Sequence, residues 1–368
     1  MKMNVARYCN IVLAVCMIVS ACSEKTVSVD SVIPLSVGRI DDAQKINFPD
    51  EFSDFAIIKL ENNEKAMLSW VQKVCVTPKG FYFLDYKAPE QILHFDLEGK
   101  FLCRIGEYGR KSSEYTMIYN FCTNEAGDTI AILESERILF YNDKGQYLKT
   151  QHFDEHMDDI LLMSKGLLAT DYHHVGSHLF MLYNNSLKSR FVPLSSGLIR
   201  GAASSQNFLQ QNAKYICYYD FFTSRFYLMD KQNLSKVKCY LLDSDKMLSE
   251  EKAFAMNGDN SKYAFVSNYI IDENFIIGNV SIDRHEYDFR IDINNDKFTL
   301  VEHNFSNYHF HSYYDGYYYK VVSSGFLIDI LQQPYSHRSR EMLKEALRTY
   351  KDSISDKDNY YILKMKKR

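Results

Sequence analysis

From residue 70 onward the chain is written as short apolar runs separated by Gly, Asn or Asp turns. The clearest case is 91–105, QILHFDLEGKFLCRI, two apolar stretches around Asp96-Leu97-Glu98-Gly99. Such runs predict β-strands joined as a meander, because Asn, Asp and Gly adopt the backbone conformations tight turns need. One group of four strands is predicted at 70–76, 81–85, 91–96 and 101–105. A second follows at 118–123, 129–133, 137–141 and 147–150.

A longer period overlies these strands. A large apolar residue followed by Asp or Asn recurs at Phe95-Asp96, Tyr141-Asn142, Tyr183-Asn184, Met229-Asp230 and Ile293-Asn294, with gaps of 46, 42, 46 and 64 residues. A four-stranded propeller blade needs roughly 40–50 residues, so the last gap implies an insertion, placed near 243–262. A sixth copy is suggested by 308–314, 317–322 and 325–330. The predicted fold class is all-β: a six-bladed β-propeller of four-stranded antiparallel blades. A β-sandwich has no such super-period. The tail departs from the pattern. Residues 339–350 (SREMLKEALRTY) place Met342, Leu343, Ala346 and Leu347 at helical spacing, and 360–365 (YYILKM) read as a strand. An unpaired strand is an exposed edge. Its expected partner is 55–60 (FAIIKL), so that the N- and C-terminal strands close the ring.

The N-terminus changes the picture by assigning an address. Lys2 and Arg7 precede an apolar run at 11–19 that is too short to span a bilayer, and Val19-Ser20-Ala21 leads into Cys22. The expected organisation is a signal peptide at 1–21, a lipid-anchored tether at 22–50 and the propeller at 51–368. Acyl chains on Cys22 would attach the protein to a membrane. Ser23 in place of Asp favours the outer membrane, with a periplasmic or a surface-facing orientation both open. Losing Lys2 and Arg7 with the signal reduces the 43 Lys+Arg to 41 against 47 Asp+Glu, a formal charge of −6. With no basic stretch except 364–368, nucleic acid is excluded as a partner. Cys75, Cys103, Cys122, Cys217 and Cys239 remain, an odd number without a CxxC pair. They are expected as buried thiols, with one disulfide left open.

Several features resemble a known family. They are the lipobox ending at Cys22, Leu60-Glu61, FYFLD at 81–85, ILHFDLEGKFLCRI at 92–105 running into Gly106-Glu107-Tyr108-Gly109, Glu114-Tyr115, and a closing Asp358-Asn359. Together they resemble the six-bladed β-propeller lipoproteins with NHL-like blades of Gram-negative gut anaerobes. The resemblance is specific over about 60–148 and at the C-terminus. It implies the fold but carries no catalytic residues. Two departures stand out. The family's Gly-x-Gly-Pro-Gly-Glu-Tyr loop is here Gly109-Arg110-Lys111-Ser112-Ser113-Glu114-Tyr115, and its closing Asn-Pro is here Asn359-Tyr360.

Candidate chemistry is sparse. In a propeller, the loops from a fourth strand to the next first strand share one face with the loops between second and third strands, and a ligand is expected there. Arg110, Glu114 and Tyr115 fall in the first such loop. Arg110 is suited to clamp an anion, and Glu114 is suited to bond loop amides. His173 and His174 follow Asp171-Tyr172 in a loop of the third copy. His174 and His178 would need a helix to chelate Zn²⁺, so no metal site is expected. His309 and His311 alternate in YHFHSYY, which predicts two imidazoles on one face of an inner strand. No nucleophile motif, phosphate loop or cofactor signature is present. The leading expectation is a binding or interaction module for a small ligand, glycan, peptide or envelope protein. The alternatives are a hydrolase or lyase with a channel metal, or a structural subunit docking through the 342–347 helix or the 243–262 insertion.

Overall fold

The computed structural model describes residues 25–26, 29, 31–38, 42–46, 51–87, 89–135, 137–154, 156–171, 177–183, 186–193, 209–221, 223–249, 252, 263–303, 309–332, 344, 347–348, 350 and 353–368. Their strands form six sheets, each with an antiparallel four-stranded core. Sheet 1 comprises Val71–Thr77, Gly80–Asp85, Gln91–Phe95 and Phe101–Ile105. Sheet 2 comprises Asn120–Thr123, Thr129–Leu133, Arg137–Asn142 and Tyr147–His152. Sheets 3, 4 and 5 begin with Asp159–Met163, Leu209–Gln211 and Phe265–Ile271. Sheet 6 begins with Ser312–Tyr314 and Tyr317–Val322. The six first strands touch one another in chain order, and that of sheet 6 touches that of sheet 1. The arrangement is an all-β propeller.

Central strands are buried on both faces, which is why they are apolar throughout rather than alternating. In Gly80–Asp85, Phe81 and Phe83 pack into the seam with sheet 6, while Tyr82 and Leu84 pack into the seam with sheet 2. Gly80 is required at its turn. Its φ is +125°, and a Cβ there would sit 2.0 Å from the Phe95 carbonyl oxygen.

The ring closes as expected: Tyr361–Lys367 pairs antiparallel with Phe52–Lys59 as the third and fourth strands of sheet 6. The Asp358-Asn359 pair is the fastener. Asn359 is buried, donates to the carbonyls of Glu61 (3.1 Å) and Ala66 (2.8 Å), and accepts from the Leu68 amide (3.1 Å). Asp358 accepts from Asn62 and from the Ser355 amide, each at 2.7 Å, and pairs with Lys59 at 2.9 Å.

Three expectations need correction. Residues 325–330 are not a strand but part of a helix, α1 (Ser324–Gln332), which buries Leu327 and Ile330 against sheets 5 and 6. Ser323 stands at its N-terminal cap, its hydroxyl accepting from the Phe326 amide at 3.2 Å. The segment expected as a tether is not loose. Lys25–Thr26, Val32–Ser36 and Gln44–Ile46 add as parallel fifth strands to sheets 3, 4 and 5. Finally, the 308–314 strand is confined to Ser312–Tyr314. The 339–350 helix lies largely outside the described residues. Within it Lys344, Leu347 and Arg348 are helical, and Leu347 is fully buried in the core beside α1. That apolar position is consumed by the fold rather than presented to a partner. The 243–262 insertion falls between sheets 4 and 5, mostly outside the described residues.

Candidate functional site

The first strands of all six sheets enclose a channel cavity of about 510 Å³. Its wall extends to the turns between first and second strands, where Asn124, Glu125, Asn212, Glu273 and Asp315 form a polar rim. This is the face opposite the expected mouth. At the rim Tyr313 donates its hydroxyl to Glu273. Burial, then that bond, raise the Tyr313 phenol well above its ordinary value, so it is a donor throughout the neutral range. Lys231, from sheet 4, pairs with Glu125, from sheet 2, at 2.7 Å across the rim. Tyr314, Gln210 and Gln211 add an aromatic face and amide groups to the wall.

Toward the other end the first strands are tied together by a buried polar knot. Lys73 donates to Asn120 Oδ1 at 2.8 Å and to Asp159 Oδ1 at 3.2 Å. Asn120 also donates to Asp159 Oδ1 at 2.9 Å, and Asp159 Oδ2 accepts the Leu209 amide at 2.9 Å. Four sheets thus meet at one carboxylate. Burial pulls the Lys73 ammonium down, but the Asp159 charge more than reverses this, and the lysine stays protonated. Cys75 and Cys122 lie beside it. Burial raises the Cys75 thiol to about 11 and that of Cys122 further, so both are inert neutral thiols. The described cysteines are all unpaired.

The expected site residues do not converge. Glu114 caps its own loop, accepting from the Lys111 amide (3.0 Å) and the Lys111 ammonium (2.8 Å). Tyr115 is 1% exposed in the seam between sheets 1 and 2 and is not part of the channel wall; it borders a separate recess of about 270 Å³ with Arg104 and Tyr108. Arg110 is exposed on the same loop, away from the channel wall. The loop is pinned from sheet 2, where Arg137 donates to the Glu114 carbonyl at 3.0 Å and Tyr141 to the Ser113 carbonyl at 2.8 Å. His173 and His174 lie outside the described residues.

His309 and His311 precede the first strand of sheet 6 instead of alternating along it, although their rings are 5.5 Å apart. His311 lines the channel cavity and accepts the Val321 amide on Nδ1 at 3.2 Å, which fixes a neutral ring protonated on Nε2. Burial, with His309 and Lys320 nearby, lowers His311 to about 3. Burial of its ring and the Lys320 charge lower His309, against the opposing pull of Glu286 and Asp288. Lys320, 8% exposed, faces them. Burial lowers its ammonium to about 8, against the opposing pull of Asp288 and Glu286.

Pattern reading missed Lys73, Asn120, Asp159 and Lys320, polar residues that open or interrupt otherwise apolar strands. It also missed a repeated carboxylate at the end of second strands: Asp85, Glu134, Asp171 and Asp220. Asp85 accepts the Ser69 (3.1 Å) and Trp70 (2.8 Å) amides, and Glu134 accepts the Thr116 amide (2.5 Å). Asp85 and Glu134 thus each clamp the loop that enters their own sheet. The signal is legible in the sequence as FYFLD and AILE, an acidic residue closing an apolar run.

Similarity to known proteins agrees with this architecture. A protein of Bacteroides fragilis NCTC 9343 described as exported shares the fold with a TM-score of 0.70 at 15% identity, over 92% of this chain and 100% of that one. A DUF4221 family member from Bacteroides vulgatus ATCC 8482 aligns with a TM-score of 0.48 at 10% identity, over 68% and 84% of the two chains. No curated protein matches the chain. The family model described as "Domain of unknown function (DUF4934)" matches residues 30–366, nearly the whole of the propeller together with the edge strands Val32–Ser36 and Gln44–Ile46, and the chain belongs to that family.

Proposed function

We propose that the protein is an exported, lipid-anchored six-bladed propeller that binds a small polar ligand in its channel, entering from the face of the first-to-second-strand turns. The observation that carries this reading is the cavity of about 510 Å³ with walls from every sheet, a size typical of small-ligand sites. Its wall chemistry, tyrosine faces beside amides and carboxylates, suits a short oligosaccharide: ring C–H groups stack on Tyr314 while hydroxyls bond Gln210, Gln211 and Glu273. The basic start, the apolar run and Cys22 support export and anchoring.

The test is a thermal-shift screen of the mature protein against glycans, short peptides and divalent cations. A glycan is expected to raise the melting temperature, and Tyr314→Ala or Gln211→Ala is expected to abolish the shift while leaving the unliganded protein folded. A shift that survives both substitutions, or none with any glycan, overturns the reading.

A further inference from the structure

Sheet 3 carries a second polar centre on the face away from the channel rim. His156 and Asp158 immediately precede its first strand, Asp159–Met163, and Asp171 immediately follows its second, Gly166–Thr170. The two strands pair with Asp159 opposite Thr170, and the Asp158 amide donates to the Thr170 carbonyl at 2.9 Å. The hairpin therefore holds both carboxylates one step beyond its end, where His156 meets them. His156 Nδ1 lies 3.5 Å from Asp171 Oδ1 and 3.9 Å from Asp158 Oδ1. All three donor atoms fall within 4.8 Å of one another.

We propose that His156, Asp158 and Asp171 form a divalent transition-metal site, for Zn²⁺ or Mn²⁺, independent of the channel and of any ligand bound there. The separations carry the argument. They are longer than direct N–H···O hydrogen bonds. Donors held about 2.1 Å from one shared ion lie roughly 3.0–3.4 Å apart at an octahedral or tetrahedral edge, so a small inward movement suffices. The charge balance points the same way. Two carboxylates beside an imidazole attract a cation, and the Asp171 side chain that would hold it is only 6% exposed. One nitrogen and two oxygens without a thiolate favour Zn²⁺ or Mn²⁺ over Cu(I), and the imidazole disfavours Ca²⁺. Three protein ligands leave at least one position open. The His156 and Asp158 side chains are 33% and 21% exposed, so the ion is reachable from solvent.

The experiment is metal titration of the chelator-stripped mature protein by calorimetry, with Co²⁺ absorption as a second readout. One equivalent of Zn²⁺ or Mn²⁺ should bind, and a Co²⁺ ligand-field band should appear. His156→Gln with Asp171→Asn should weaken binding at least tenfold, while His285→Gln, on an exposed turn of sheet 5, should leave it unchanged. If the double variant loses its native circular dichroism, Asp158→Asn alone decides by the same criterion. Less than stoichiometric binding of both ions, or unaltered binding in a natively folded variant, overturns the site.

Discussion

Sheets 1 and 2 and sheets 3 to 5 are built on one plan but treat their outer edges differently. The fourth strands of sheets 1 and 2 are bare. Leu102 is 47% exposed and Leu148 51%, and Tyr147 is exposed beside it. In sheet 4 the corresponding strand, Val237–Asp243, lies beneath Val32–Ser36, and Tyr240 and Leu242 are 0% and 2% exposed. The covering segment contributes buried side chains of its own, Leu35 and Val37. An uncovered strand presents unpaired N–H and C=O groups, and here the chain uses its own N-terminal stretch to occupy three of those edges. The lesson is that two sheets are complete as hairpin stacks, while three depend on a segment distant in sequence. Sheet 6 is a third case, completed by joining the two ends of the chain.

The largest predicted effect tests that division directly. Deleting residues 25–46 removes the parallel strands from sheets 3, 4 and 5 together. Loss of their ladder bonds and of the buried Leu35 and Val37 should cost on the order of 5 kcal/mol, comparable with the stability of a whole domain. Hydrogen exchange should quicken in Val237–Asp243 and Lys297–His303 but not in Phe101–Ile105 or Tyr147–His152. Uniform quickening across all four strands would show that the two groups of sheets do not differ in this way.

A smaller effect is expected where the two groups meet. Asp159, in sheet 3, holds Lys73 of sheet 1, Asn120 of sheet 2 and the Leu209 amide of sheet 4. Asp159→Ala leaves the Lys73 ammonium buried without its counter-charge, which should cost about 3–5 kcal/mol in urea unfolding. Replacing the pair together, Lys73→Met with Asp159→Leu, should recover most of that loss, because an apolar pair carries no desolvation penalty. If the double variant is as unstable as Asp159→Ala, the amide contacts rather than the ion pair join the two halves.

The same contrast explains what could be read from sequence. In sheets 1 and 2 every strand was placed within about two residues, because short hairpins with Gly turns keep all the information local. The third-strand endings at Phe95, Tyr183 and Met229 also fall at or beside strand ends. What failed was non-local or ambiguous. GFLIDI is too short and too evenly apolar to separate strand from helix, and the Ser323 cap decides the matter. VIPLS contains Pro34, which fits an outer strand, yet nothing nearby names its partner 207 residues away at Leu241. Asp358-Asn359 was legible as a closing motif by resemblance, and its hydrogen bonds supply the reason. The candidate site was the least legible part. Which end of a channel is open depends on side chains from all six sheets, and no local pattern records it. An aromatic in a loop reads the same whether it lines the channel or packs in a seam between sheets, as Tyr115 does.

The smallest effect concerns the latch of sheet 6, and it has a sign that can be worked out. Burial works against the Asp358 charge, but hydrogen bonds from Tyr361, Lys59, the Ser355 amide and Asn62 outweigh it and hold the carboxyl down to about 2. In the unfolded chain an aspartate titrates near 3.9. A folded pKa below the unfolded one means the latch contributes its full stability above about pH 4 and loses it as pH falls from about 4 through about 2. Allowing for solvent screening, the loss should be roughly 1–2 kcal/mol. Asp358→Asn should flatten that part of the pH–stability curve while lowering stability at pH 7. Exchange in Phe52–Lys59 and Tyr361–Lys367 should respond to acid before the edges of sheets 1 and 2 do, since only sheet 6 is completed through a titrating contact between the chain's two ends. A variant curve parallel to that of the parent between pH 2 and 4 would move the acid-sensitive contact elsewhere and leave the latch held by Asn359 alone.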